Sequence, residues 1–238
     1  MPTTPRCRVR FLFDFISPYA YLGWTEVHAV LEAAGCEIEP VPVLFAALLD
    51  AYGQLGPAEI PPKRVYIFKD CVRRAHRLGV PFAPPPSHPF NPLLALRVAS
   101  LPLEPPARRA LVDELFRAAW GGGGGVETPA AVALAVTRAG LDAEAAVRAA
   151  GEPEGKARLR RQTDAAIAAG AFGVPTLLVP RADGTDELFW GADSLADVAR
   201  FVRGEDPLDE AAFARWAHIA PSAVRPGSRG KGAGEGGR

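Results

Sequence analysis

The sequence predicts an α/β fold in which both ends of the chain build one mixed sheet around a large all-α insertion. Three observations carry this. Near the N-terminus the apolar run Phe11, Leu12, Phe13 and Phe15 passes through Ser17-Pro18 into a helical pattern. Near the other end, AFGVPTLLV and ELFW flank the turn sequence ADGTD and lead into a further helical pattern. Between them, from about residue 49 to 169, helical spacing dominates.

Taken in order, residues 8–14 form a first strand, Ser17 is an N-cap and Pro18 the first helical residue. Tyr19, Leu22, Val27, Val30 and Leu31 give a helix over 19–34, with Gly35 as its stop. Residues 37–43 alternate around Ile38, Val41 and Val43, so a strand-helix-strand unit with parallel strands is expected. The short apolar piece FAALLDAY and the loop GQLGPAEIPP precede a helix over 63–78. The prolines of 80–92 exclude regular structure, leaving an ordered loop that crosses the surface. Helices follow over 92–101, 106–120, 129–139, 142–149 and 153–169. The five glycines 121–125 lack the Lys-Ser or Lys-Thr of a phosphate loop and read as a hinge. Residues 171–179 and 187–190 form a hairpin, and 194–202 a helix. The expected division is a discontinuous sheet domain (1–48 and 170–205), a helical insertion (49–169), a C-terminal helix within 206–220, placed at 208–219, and a disordered tail (221–238).

Composition narrows the function classes. Of 238 residues 48% are hydrophobic and 23% charged, enough for a full core. Lys plus Arg and Asp plus Glu both total 27, so charge favours neither nucleic acid nor a membrane surface. Without an apolar leader or a stretch of about 18 apolar residues, a cytoplasmic protein is expected. Cys7, Cys36 and Cys71 are far apart and form no C-x-x-C, so they read as idle thiols; His28, His76, His88 and His218 are equally scattered, and no metal site is expected.

The chemistry is expected at Ser17. An anion beside it would be stabilised by the hydroxyl and by the unpartnered amides and positive end of the helix. A purely capping serine fits the same local pattern.

The strand-corner-helix, the distant Val174-Pro175-Thr176 and the helical insertion resemble the thioredoxin fold in its DsbA-like form. FDFISPYAYL, GAFGVPTLLV and FWGADSL, together with PPKRVYIFKD and HPFNP, are similar to the family of 2-hydroxychromene-2-carboxylate isomerases and kappa-class glutathione transferases over about residues 8–203. Where the redox branch carries C-x-x-C, this chain has Ser17-Pro18-Tyr19-Ala20, which removes dithiol exchange at that site. The resemblance implies glutathione as cofactor, its thiolate held by Ser17. It further implies that Val174, before a cis Pro175, offers its backbone to the cysteinyl part, and that Asp193 and Ser194 hold the γ-glutamyl end. Lys63 then meets the glycyl carboxylate, and Gln54 stands where the family often has asparagine. Many isomerases read Asn-Asp-Arg where this chain has Ala192-Asp193-Ser194. His88, Phe90, Trp120 and Trp190 are candidate walls of an aromatic substrate pocket, and core packing explains them equally well. The resemblance thus implies a small-molecule substrate from aromatic degradation and allows a homodimer. Three functions fit: a glutathione-dependent isomerase of an unsaturated aromatic keto acid, a kappa-like transferase, and a non-catalytic glutathione- or peptide-binding module.

Overall fold

The computed structural model describes residues 7–220 and Ser222. The tail expected to be disordered, 221–238, lies outside the described residues apart from Ser222. Four strands, β1 (Cys7–Phe13), β2 (Cys36–Pro42), β3 (Thr176–Pro180) and β4 (Asp186–Trp190), form one sheet in the order β2-β1-β3-β4. β1 pairs in parallel with β2, in register from Cys7 opposite Cys36 to Phe13 opposite Pro42. β3 pairs antiparallel with β1 and β4. The N-terminal strand therefore joins both halves of the sheet.

Alternation along β1 separates two apolar layers. Val9, Phe11 and Phe13 face a large cluster with Leu22, Trp24 and Leu31 of α1 (Pro18–Ala33) and Val198 of α9 (Leu195–Val202). Leu12 faces the opposite cluster with Leu48 of α2 (Phe45–Tyr52) and Ala166 of α8 (Pro153–Ala168). The remaining helices are α3 (Pro61–Leu78), α4 (Leu93–Ala99), α5 (Pro105–Trp120), α6 (Pro129–Arg138), α7 (Ala143–Gly151) and α10 (Glu210–Ala217). The first cluster runs unbroken from the sheet into Leu115, Phe116 and Trp120 of α5 and Val132 of α6. Local signals set the helix starts: Ser17, Thr128 and Asp142 cap α1, α6 and α7 with their side chains, and Pro18 and Pro129 stand at the first helical positions.

Several expectations change. FAALLDAY is the helix α2. Within 171–179 the glycine-rich approach gives way to the strand at Thr176, because Pro175 has no N–H for the ladder and the Thr176 hydroxyl bonds back to the Gly173 carbonyl at 2.7 Å. The helix expected from 194 opens with a 3₁₀ turn, Ala192–Ser194. The glycine run is no free hinge. The amides of Gly121 and Gly123 bond to the Arg117 carbonyl and that of Gly125 to Ala118, closing the end of α5. The proline-rich loop 80–92 runs over the surface, with Pro81, Pro84, Pro86, Ser87, Pro89 and Asn91 exposed, but it also inserts Phe90 into the core and is tied there by the Ala83 amide, which donates to the Trp120 carbonyl at 2.7 Å. Its Phe82 and Phe90 rings both pack on Trp120, which holds the irregular backbone in place.

Gly23 sets the distance between α1 and the C-terminal half. A Cβ there would lie 3.2 Å from Ala192 Cβ and 3.5 Å from both Phe11 and Pro175. Gly23→Val should therefore destabilise the fold by about 1–3 kcal/mol through overpacking, read as a lower urea midpoint; an unchanged midpoint would show that the contact yields freely.

Candidate active site

The corner after β1 is built on a buried carboxyl. Asp14 is 1% exposed and accepts the amides of Ile16 at 3.0 Å and of Phe45 at 2.9 Å, while its carbonyl accepts the Ser17 amide at 3.1 Å. Burial pushes its pKa up to about 7, against the opposing pull of the two amide bonds. Sequence reasoning passed over Asp14, although a single acid inside FLFDFI is a signal of a buried polar anchor.

Ser17 is buried at the start of α1. Its Oγ accepts the Ala20 amide at 3.1 Å and donates to the Val174 carbonyl at 3.4 Å, so it is both a cap and a neighbour of the distant loop. Pro18 has no N–H and Tyr21 N bonds to the Ser17 carbonyl at 3.2 Å. Among the described residues, this leaves the Tyr19 amide as the open donor of the first turn.

The Val174–Pro175 bond is cis. The Pro175 carbonyl accepts the Gly191 amide at 2.9 Å, which ties this loop to the turn carrying Asp193 and Ser194. Gly191 has φ +97°, a conformation that favours glycine. The Ser194 hydroxyl donates to the Gly191 carbonyl at 2.7 Å, and Asp193 is exposed beside it. Trp190 is 56% exposed and packs on Phe172, its indole lying over Gly173. It thus borders the Val174 loop, apart from the other three aromatic candidates.

Those three come together. His88 lies 5.4 Å from Trp120 and 6.3 Å from Phe90, ring to ring, and its Nε2 is 3.1 Å from the Ile16 carbonyl, next to Ser17. Burial lowers the His88 pKa, favouring the neutral ring. With the proton on Nε2 toward Ile16, Nδ1 is a buried acceptor without a partner among the described residues. Phe90 and Trp120 are interior residues, and the Trp120 indole donates to the Phe15 carbonyl at 2.7 Å. Phe68 of α3 meets His88 at 5.2 Å and also lines an open groove with Lys69, Val72 and Arg73.

A second feature missed in the sequence pins α3 beside the corner. The Tyr19 hydroxyl donates to Asp70 at 3.0 Å, Arg74 donates to the same carboxylate at 2.8 Å, and the guanidinium lies 5.2 Å from the Tyr19 ring centroid. The spacing of Asp70 and Arg74 on one helix face was legible; their meeting with Tyr19 was not. Lys63 is exposed in the first turn of α3, about 10 Å along the axis from Asp70. Gln54 is exposed in the loop after α2, and among the described residues its side chain has no hydrogen bond. No group of three or more His, Cys, Asp or Glu suited to a metal occurs among the described residues. No helix there is long and apolar enough to cross a membrane.

The profile of the DSBA-like thioredoxin domain family matches residues 8–203. The 2-hydroxychromene-2-carboxylate isomerase of Sphingobium xenophagum is 28% identical over 189 residues, covering 79% of this chain and 93% of its own. Glutathione S-transferase kappa 1 of Homo sapiens is 26% identical over 204 residues, covering 82% and 90%. A solved 2-hydroxychromene-2-carboxylate isomerase matches with a TM-score of 0.70 at 26% identity, over 88% of this chain and 96% of that one.

Asp14 should leave a mark on stability. Its folded pKa of about 7 exceeds the ordinary 3.8, so the native state holds a proton that the unfolded chain has lost. The contribution is full below about pH 4 and is lost as pH rises through about 7; at about 1.4 kcal/mol per pKa unit it amounts to about 4 kcal/mol. Urea unfolding at pH 5 and pH 8 should show wild type losing more stability than Asp14→Asn over that interval, and equal losses would refute the assignment.

Proposed function

Because this chain belongs to the DSBA-like thioredoxin domain family, we propose that it is a glutathione-dependent isomerase acting on an unsaturated aromatic keto acid. The observation that carries the reading is the placement of Ser17 Oγ at a helix start, 3.4 Å from the carbonyl before Pro175, with no cysteine in Ser17-Pro18-Tyr19-Ala20. That corner has the setting of a thiol site and no sulfur of its own. Support comes also from the 2-hydroxychromene-2-carboxylate isomerases among its relatives.

The residues present fit a tripeptide with one ammonium, two carboxylates and a thiol. The Val174 backbone receives its extended centre as an added strand. Asp193 pairs with the ammonium and Ser194 with the neighbouring carboxylate. Lys63, exposed in the first turn of α3, pairs with the far carboxylate. Gln54 adds a hydrogen bond near that end. When bound, glutathione supplies a nucleophilic sulfur that adds to an unsaturated carbon and departs again unconsumed.

Ser17 holds that sulfur in its charged form. Its present bond to Val174 is long and is readily exchanged for a shorter, charge-assisted one. The Tyr19 amide and the positive end of α1 act in the same direction. Asp14, neutral below about pH 7, sets no opposing charge beneath the corner. His88 lines the substrate side of the corner through its contact with Ile16, with Phe90 and Trp120 backing its ring. Trp190 shields the Val174 side from water.

Ser17→Ala should lower turnover about 100-fold and abolish the gain in thiolate absorbance on glutathione binding, with the complex still formed. Full turnover by that variant at neutral pH would remove Ser17 from the mechanism. Lys63→Ala should raise the glutathione Kd about tenfold by calorimetry, and an unchanged Kd would place Lys63 outside the site. Mass spectrometry of the products decides the class: an isomerase leaves the glutathione pool intact, a transferase yields a stable conjugate, and a binding module yields neither.

A further inference from the structure

At the far end of the same strand, the fold brings together two thiols that sequence separation had made look idle. Cys7 and Cys36 lie 29 positions apart and open β1 and β2 as in-register partners, with their sulfurs 3.1 Å apart. Both lie on the sheet face that carries Val9, Phe11 and Phe13. Adjacent strands run about 4.8 Å apart, inside the Cα separation that a disulfide spans, and the sulfurs need close by only about 1 Å to reach bonding distance. Cys7 is half-buried and reachable, whereas Cys36 is 5% exposed. Cys71 is fully buried in the core and burial pushes its thiol up to about 12, which makes it inert at neutral pH.

We propose that Cys7 and Cys36 are an oxidisable dithiol which a low-molecular-weight disulfide, such as oxidised glutathione, converts into a cross-strand disulfide. The Cys7 thiolate, its proton released to water, attacks one sulfur of the oxidant, expels one thiolate and leaves a mixed disulfide on Cys7. The Cys36 thiolate then attacks the Cys7 sulfur and expels the second. Two protein thiols lose two electrons and two protons, and one small disulfide becomes two thiols. The more exposed cysteine accepts the adduct and the buried one resolves it. The product staples the start of β1 to the start of β2 across a loop that contains all of α1 and the Ser17 corner. The pair lies roughly 20 Å along β1 from the strand end that leads to Ser17, so this modification is separate from the corner and does not rest on the function proposed for it.

The test uses the full chain, oxidised glutathione and alkylation of the remaining thiols after denaturation. Alkylatable thiols should fall from three to one, the intact mass by two hydrogens, and peptide mapping should link residue 7 to residue 36; dithiothreitol should restore all three. In Cys36→Ser the reaction should stop at a stable glutathione adduct on Cys7. Retention of three thiols in the wild type, a lasting adduct on wild-type Cys7, or linkage between chains would each overturn the proposal. Should the variant not fold, the wild-type map decides alone.

Discussion

The structure depends on what happens where β1 ends. There the buried Asp14 carboxyl accepts one amide from the corner, Ile16, and one from the opening of α2, Phe45. Ile16 leads into α1 on one face of the sheet, and Phe45 opens the helix on the other. A single side chain thus fixes how the chain leaves the sheet and how the opposite layer begins. A buried carboxyl is costly without partners, and the two amides are donors that would otherwise be lost from water. Each side satisfies the other.

Around that junction, segments remote in the chain are drawn to one place. The absence of a side chain at Gly23 lets α1 approach Pro175 and Ala192, and the Gly191 amide binds the Pro175 carbonyl. Tyr19 grips Asp70, so α3 arrives at the first turn of α1 with Lys63 on its leading end. The corner keeps the helix start and proline loop suited to a sulfur anion, while serine offers only a hydroxyl. In the function we propose, that corner stabilises another molecule's sulfur, because a hydroxyl can donate to a thiolate but cannot exchange electrons with it. The cysteines this chain does have sit elsewhere: two face each other at the opposite end of β1, and the third is sealed in the core.

What the sequence by itself determined is what depends on neighbours within a few residues. Ser17-Pro18, Thr128-Pro129 and Asp142 mark helix starts, and the alternation in β1 marks a strand, because capping and periodicity are local physics. The fold class and the pairing of Ser17 with Val174-Pro175 were legible too, the second through family likeness and not through spacing. Tertiary structure alone decided the rest. Phe90 is inside because Trp120, thirty positions away, offers a surface worth more than the water the loop gives up. Trp190 stands apart from His88 because its place in β4 opposite Thr176 sets it beside the Val174 loop. Cys7 meets Cys36, and Tyr19 meets Asp70, only through strand register and helix docking. These are set by the packing of whole layers, and no short window of sequence contains that information.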